Sequence, residues 1–261
     1  MPNDHDAYKP AEIAALIEGA GVAKAHLPLG QMFTLAVLAG AFIGFGAAAW
    51  LMVMTGADPG FGPLRLLGGL VFALGLILVI VGGAELFTGN ALMVMAAVDG
   101  KITLTALLRN WGVVYLGNLV GAVGLAGAFA LSGLLEAPMG EAAASVATAK
   151  AAGSALPWLV KGALCNALVC LAVWLTFSAR DTTGKILAIL WPISAFVVLG
   201  LEHSIANMFF LPLGALAGAE IPLGAALGNL FWVTLGNILG GAGGVALAYR
   251  YAYLGGKGAR A

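Results

Sequence analysis

The stretch that most restricts what this chain can become runs from Ile186 to Ala219, 34 residues whose only ionisable side chains are Glu202 and His203. A straight helix of that length would measure about 50 Å at roughly 1.5 Å per residue, whereas the hydrocarbon of a bilayer is about 30 Å thick. The segment must tilt steeply, leave the membrane or break. A break at Glu202-His203-Ser204 is expected, with backbone polar groups freed beside the imidazole.

An echo lies upstream. Leu66 to Val98 is a second over-long apolar run, and its single charge, Glu85, sits in Gly83-Ala84-Glu85-Leu86-Phe87-Thr88-Gly89-Asn90. Superimposing Glu85 on Glu202 brings Asn90 onto Asn207, so both runs carry Glu-x-x-x-small-Asn. A related pair of segments, Asn110 to Gly121 and Asn229 to Gly240, shares Asn, Val, Leu, Gly, Asn and Gly at an offset of 119 residues, against 117 for the two runs. Residues 31–133 and 156–250 therefore read as two copies of one three-span unit. An odd number of spans per copy places the copies upside down relative to each other, the plan of many transporters whose solute path lies at the repeat interface.

The span count follows from apolar length. At 61% hydrophobic, 9% charged and a mean hydropathy of +1.01, the chain is far from a soluble domain, of which about 25% is charged. Six blocks stand out: Gln31–Thr55, Leu66–Val98, Ile102–Leu131, Leu156–Ser178, Ile186–Ala219 and Ala225–Tyr249. Six crossings return both termini to one side, which carries nine lysines and arginines against Arg65, Lys150 and Lys161 opposite. The positive-inside bias makes that side cytoplasmic, in a cell (inner) membrane protein. The start, Met1 to Asp6, is acidic and leads into no apolar h-region, so no cleaved signal peptide is expected.

Residues 1–30 read as an N-terminal interfacial amphipathic helix, with Ile13, Leu16, Ile17 and Val22 against Glu12, Glu18 and Lys24. Residues 134–155 read as a short irregular or helical linker without chemistry, and 251–261 as a short, mobile cytoplasmic tail. Cys165 and Cys170 form neither a CxxC pair nor a metal set, and packing is the simpler role. A net charge of zero gives no sign of a nucleic-acid partner. Membrane lipid is the surrounding the composition demands, and nothing asks for a cofactor, a metal or catalytic residues.

Freed backbone groups in hydrocarbon must be satisfied by protein or line a wet path. Thr88 and Ser204 are placed to cap the half-helices that begin there. A charged residue at a helix centre costs about 2.5–3.5 kcal/mol on insertion scales. For Glu85 and Glu202 the simplest reason is structural: they accept bonds from backbone N–H groups or from neighbouring polar side chains at the breaks, with Asn90 and Asn207 close by. His203 reads instead as a pathway residue, since an imidazole can titrate near neutral pH, the alternative being a neutral ring bonded to the broken backbone. Lys161 either snorkels to the headgroups or draws anions into a vestibule. Phe72 and Phe196, as bare residues, read as packing.

Four segments together resemble the formate/nitrite transporter family: Ala84 to Asn90, Lys161-Gly162-Ala163-Leu164-Cys165-Asn166 and on to Trp174, Glu202 to Phe209, and Gly236 to Gly241. The resemblance implies an all-α membrane protein with six transmembrane helices in an inverted three-helix repeat. Its second and fifth helices would be broken, and its protomer aquaporin-like and part of a homo-oligomer, a pentamer, with one path per protomer. It carries the family's central histidine onto His203, its threonine onto Thr88 and its path asparagine onto Asn166. The hydrophobic constrictions fall on Phe72 with Phe196 outside, and on Leu76, Leu86 and Phe87 inside. Lys161 is closer to the nitrite branch than to the formate branch, and hydrosulfide-type members share the pattern.

The expected function is a channel or transporter for small monovalent weak-acid anions, nitrite or formate, coupled to protons through His203. A neutral-solute facilitator of the aquaporin type would want Asn-Pro-Ala at both breaks, and no Asn-Pro occurs. An intramembrane serine protease would want Gly-x-Ser-Gly, and a bis-histidine haem needs a second membrane histidine.

Overall fold

The computed structural model describes residues 7–255 apart from 59 and 137. The readings made on Met1 to Asp6 and on the tail beyond Gly255 lie outside the described residues. The described chain is helical, with no strand: α1 (Pro10–Ala25), α2 (Leu29–Met54), α3 (Gly62–Phe72), α4 (Leu74–Gly82), a 3₁₀ turn (Gly89–Met93), α5 (Val94–Val98), α6 (Leu104–Leu131), α7 (Met139–Ala151), α8 (Ala155–Ser178), α9 (Thr182–Val198), α10 (Ser204–Leu216), α11 (Leu223–Ile238), a π-helical stretch (Leu239–Leu247) and α12 (Ala248–Leu254).

Both over-long runs break, and they break by the same device. α4 ends at Gly83 and α9 just before Gly200, each glycine in the left-handed region with φ of +80° and +66°. Only glycine enters that region without a steric penalty, which is why it so often stops a helix. Past each glycine the next N–H reaches five residues back, Ala84 to Val79 and Leu201 to Phe196. The chain is then irregular until Gly89 in the first copy and Ser204 in the second.

Close helix pairs hold the spans. α2 packs chiefly on α6, and α8 on α11. Glycine makes these contacts possible: a Cβ on Gly121 would strike the Val37 carbonyl, and one on Gly240 the Ala163 carbonyl. Small residues at such crossings let backbones approach where lipid supplies no hydrophobic drive. Gly121→Ala and Gly240→Ala are each expected to cost about 1–3 kcal/mol, read as a lowered unfolding midpoint in detergent. The π-helical stretch brings Gly241 so near the Asn166 amide and Ala91 that it too leaves no room for a Cβ. Large apolar side chains such as Leu116, Trp191 and Phe231 face outward, as lipid contact requires.

Two parts differ from the sequence reading. α1 does not simply lie along an interface: Ile13, Ala14, Ile17 and Gly21 are buried against the 3₁₀ turn, α5, α8 and α12. Lys101 donates to Glu18 at 2.5 Å, and Arg250 Nε to Asp99 at 2.7 Å. Burial pushes the Asp99 carboxyl up, but the hydrogen bonds from Arg250 and the charges of Arg250 and Lys101 outweigh this and hold it below its ordinary value. The linker 134–155 takes the helical form, as α7, and is not without chemistry: it packs on α10 and delivers Lys150 to the second break.

Candidate functional site

Two asparagines hold the irregular segments in place. Asn118 accepts from the Phe87 N–H at 3.0 Å and donates to the carbonyls of Ala36 at 2.8 Å and Glu85 at 2.9 Å. Asn237 repeats the pattern, accepting from Ser204 N–H at 2.9 Å and donating to Gly162 at 2.8 Å and Glu202 at 3.0 Å. Each side chain thus meets two backbone groups that the broken segment cannot satisfy itself and ties them to a carbonyl of a packed, unbroken helix, Ala36 of α2 or Gly162 of α8.

The carboxylates sit one layer out. Glu85 accepts from Asn90 at 2.8 Å and from Lys24 at 2.6 Å, and Asn90 also donates to Asn110. Glu202 accepts from Asn207 at 2.7 Å and from Lys150 at 2.9 Å, and Asn207 also donates to Asn229. Each third-span asparagine closes the ring onto its lysine's own carbonyl, Asn110 on Lys24 and Asn229 on Lys150. Both carboxylates therefore bond polar side chains rather than free backbone N–H groups. The correspondence extends beyond residues 31–133 and 156–250 to α1 and α7. Its trace in the sequence is Ala23-Lys24-Ala25 against Ala149-Lys150-Ala151, an echo 126 residues apart that the reading by spans passed over.

The caps fall differently from expectation. His203, not Ser204, is the N-cap of α10, its Nδ1 accepting from the Ala206 N–H at 3.1 Å. Among the described residues the Ser204 hydroxyl is buried without a partner, and Thr88 makes no side-chain cap bond. The Thr88 hydroxyl instead lies 3.0 Å from His203 Nε2. Because Nδ1 accepts, the neutral ring carries its proton on Nε2 and donates it to Thr88. That leaves the Thr88 O–H proton free to point at a solute.

Asn166 fixes Thr88 from behind, donating to its carbonyl at 3.1 Å and to the Asn237 carbonyl at 2.7 Å, while the Cys170 thiol donates to the same Thr88 carbonyl at 3.4 Å. The Asn166 oxygen is buried with no partner among the described residues. Thr88, His203 and Asn166 are all at most 3% exposed. Equivalent positions in the other copy carry no such chemistry: Leu86 corresponds to His203, and Gly40 to Asn166. The scaffold is duplicated; the polar midpoint is not.

Cavities flank that midpoint. One of about 160 Å³ is lined by Trp50, Phe72, Lys150, Phe196, Glu202 and His203. Another, of about 460 Å³, is lined by Lys24, Leu76, Glu85, Leu86, Gly89 and Asn90. The Phe72 and Phe196 rings meet edge to face at 5.4 Å, and Phe196 lies nearly parallel to the imidazole at 6.0 Å. Phe87 does not join Leu76 and Leu86: its ring packs on Tyr115 at 5.0 Å and Trp111 at 6.0 Å. The Lys161 side chain is exposed and lines neither cavity; its backbone carbonyl, by contrast, accepts from the Glu202 N–H at the break. The lysine in the smaller cavity is Lys150.

Six spans, two interrupted, with a buried polar pair between cavities walled largely by apolar side chains, define a membrane channel or transporter. The chain belongs to the formate/nitrite transporter family, whose profile matches residues 11–251. It is 44% identical over 249 residues to the uncharacterized transporter YrhG of Bacillus subtilis, covering 94% of this chain and 93% of that one. It is 38% identical to the formate channel FocA of Escherichia coli K12, over 97% and 96% of the two chains, and 38% identical to that organism's nitrite transporter NirC, over 87% and 85%. Among solved structures, an FNT family ion channel aligns with a TM-score of 0.86 at 34% identity, covering 92% of this chain and 98% of the other. A pentameric formate channel with formate bound aligns at 0.79 and 38%, covering 87% and 98%.

Proposed function

We propose that this chain carries small monovalent weak-acid anions, formate or nitrite, across the inner membrane, one path per protomer of a pentamer, with both termini cytoplasmic. The observation that carries the reading is the Thr88–His203 bond, a buried donor pair between two cavities whose nearest walls are Phe72, Phe196, Leu76 and Leu86. The relatives named for formate and for nitrite support the solute class, the pentameric neighbour supports the assembly, and the basic residues on the side of the termini support the orientation.

A bare anion between apolar walls loses its hydration, at a cost of several kcal/mol even after relaxation. The pair offsets that cost in two steps. Thr88 first donates its hydroxyl proton as a hydrogen bond to the anion. A ring that takes a second proton from the aqueous cavity gives up the Ala206 bond; its Nε2 proton then passes to Thr88 as the Thr88 proton passes to the anion. The solute crosses as the neutral acid, and the ring regains its cap once Nδ1 releases its proton to water and Nε2 takes one up in its place.

The Lys161 motif resembles the nitrite branch, while the relatives named for formate and for nitrite are equally similar to this chain, 38% identical each. Formate and nitrite are therefore proposed together. Proteoliposomes holding the protein are expected to swell in ammonium formate and ammonium nitrite and not in glycerol, with each anion competing against the other's flux. Glycerol swelling without anion flux would replace this reading with a neutral-solute facilitator.

A further inference from the structure

Lys24 and Lys150 are each paired with a carboxylate, so neither adds much net charge to its cavity. Two other cations line the path and have no ion-pair or hydrogen-bond partner among the described residues: Arg65 and Lys185. Each is the fourth residue of the first half of a broken span, in α3 and α9. Arg65 stands two turns before Phe72 and Lys185 three turns before Phe196, spacings that put each cation on the helix face of its ring. Lys185 lines the larger cavity with Lys24. Arg65 lines a third cavity of about 500 Å³ that shares Trp50, Val197 and Gly200 with the smaller one beside His203. Its Nη2 comes within 3.5 Å of where a Gly200 Cβ would stand, which sets the guanidinium against the second break.

The two mouths are not alike. The mouth with Lys185 has two cations and one carboxylate in its walls, Lys24, Lys185 and Glu85. The opposite mouth has two cations and two carboxylates, because Glu141 lines the Arg65 cavity alongside Arg65, Lys150 and Glu202. Glu141 is exposed and forms no ion pair with Arg65. Charged clefts with low-dielectric walls concentrate counter-ions and raise their arrival rate, and salt screens the effect.

We propose that Arg65 and Lys185 are the anion-capture residues of the two mouths, and that Glu141 weakens capture at the Arg65 mouth, so that anions enter more readily from the side of the termini. The inference rests on the anion reading of the path. If wild-type protein carries neither formate nor nitrite, that reading fails; if it carries them, the variants below decide the capture residues.

Initial formate influx is measured in vesicles of known sidedness, with the full chain and its Arg65→Gln, Arg65→Lys, Lys185→Gln and Glu141→Gln variants. At about 10 mM salt, Arg65→Gln is expected to raise the half-saturating formate concentration by about three- to tenfold for entry from its own side, and Glu141→Gln to lower it. Lys185→Gln should act on the other side alone. Arg65→Lys restores capture, maximal flux stays within about twofold, and the shifts shrink as salt approaches about 1 M, where the Debye length is about 3 Å. Equal shifts from both sides, no shift at low salt, or Arg65→Gln and Glu141→Gln moving the constant in the same direction would each overturn the proposal.

Discussion

Replacing His203 with asparagine is expected to give a folded protein whose anion flux has fallen by about a hundredfold or more and no longer varies with pH between about 5 and 8. The fold survives because asparagine is among the best N-cap residues and its oxygen can take the Ala206 N–H that Nδ1 now accepts. What disappears is the Nε2 donor facing Thr88 and the group that can take up a proton. If the charge then crosses unneutralised at a penalty of only about 3 kcal/mol, flux falls by roughly two decades. Thr88→Val, which keeps the side-chain shape and removes the hydroxyl, should fall in the same way. Formate flux in liposomes across that pH range, beside an unfolding midpoint within a few degrees of wild type, is the measurement. Flux and pH profile both unchanged in His203→Asn would remove the imidazole from the mechanism.

The largest structural effect is expected from Asn237→Ala. The change orphans the Ser204 N–H and the Glu202 carbonyl at the second break and cuts their tie to the Gly162 carbonyl of α8. Each unsatisfied buried group costs about 1–3 kcal/mol, so the pair takes several kcal/mol from a stability that for a typical domain is about 5–15 kcal/mol. The variant should fail to give a monodisperse protein in detergent, and Asn118→Ala should share that fate through Phe87, Ala36 and Glu85. Cys170→Ala, which removes one long thiol contact to Thr88, should be close to neutral and marks the specificity of the effect. Normal yield and a normal unfolding midpoint for Asn237→Ala would mean that the break is held by something else.

The sites of largest expected effect were unequally visible in the sequence. His203, Thr88 and Asn166 stood in motifs that resemble a family, and the structure brings all three to one point. Asn118 and Asn237 were legible only as marks of duplication, because an asparagine in an apolar span announces a bond without naming its partners. Lys24 and Lys150 were counted for topology and not for the site. Their partners, Glu85 and Glu202, lie 61 and 52 residues away, and no local pattern reports a contact across that separation. Phe87 and Lys161 show the converse, since two side chains in matching motifs point away from the cavities.

The sequence by itself determined the membrane, the six spans, the two interruptions and the duplication. Each follows from a length or a period, and hydrocarbon thickness and helix rise are fixed quantities that a one-dimensional pattern can be measured against. Tertiary structure alone decided which atom caps α10, which lysine meets which carboxylate, where α1 and α7 join the repeat, and which aromatic rings border the path. Those outcomes depend on side-chain direction and on contacts between segments far apart in the chain. In an interior without water, each buried donor or acceptor settles on whichever partner the packed helices bring within reach.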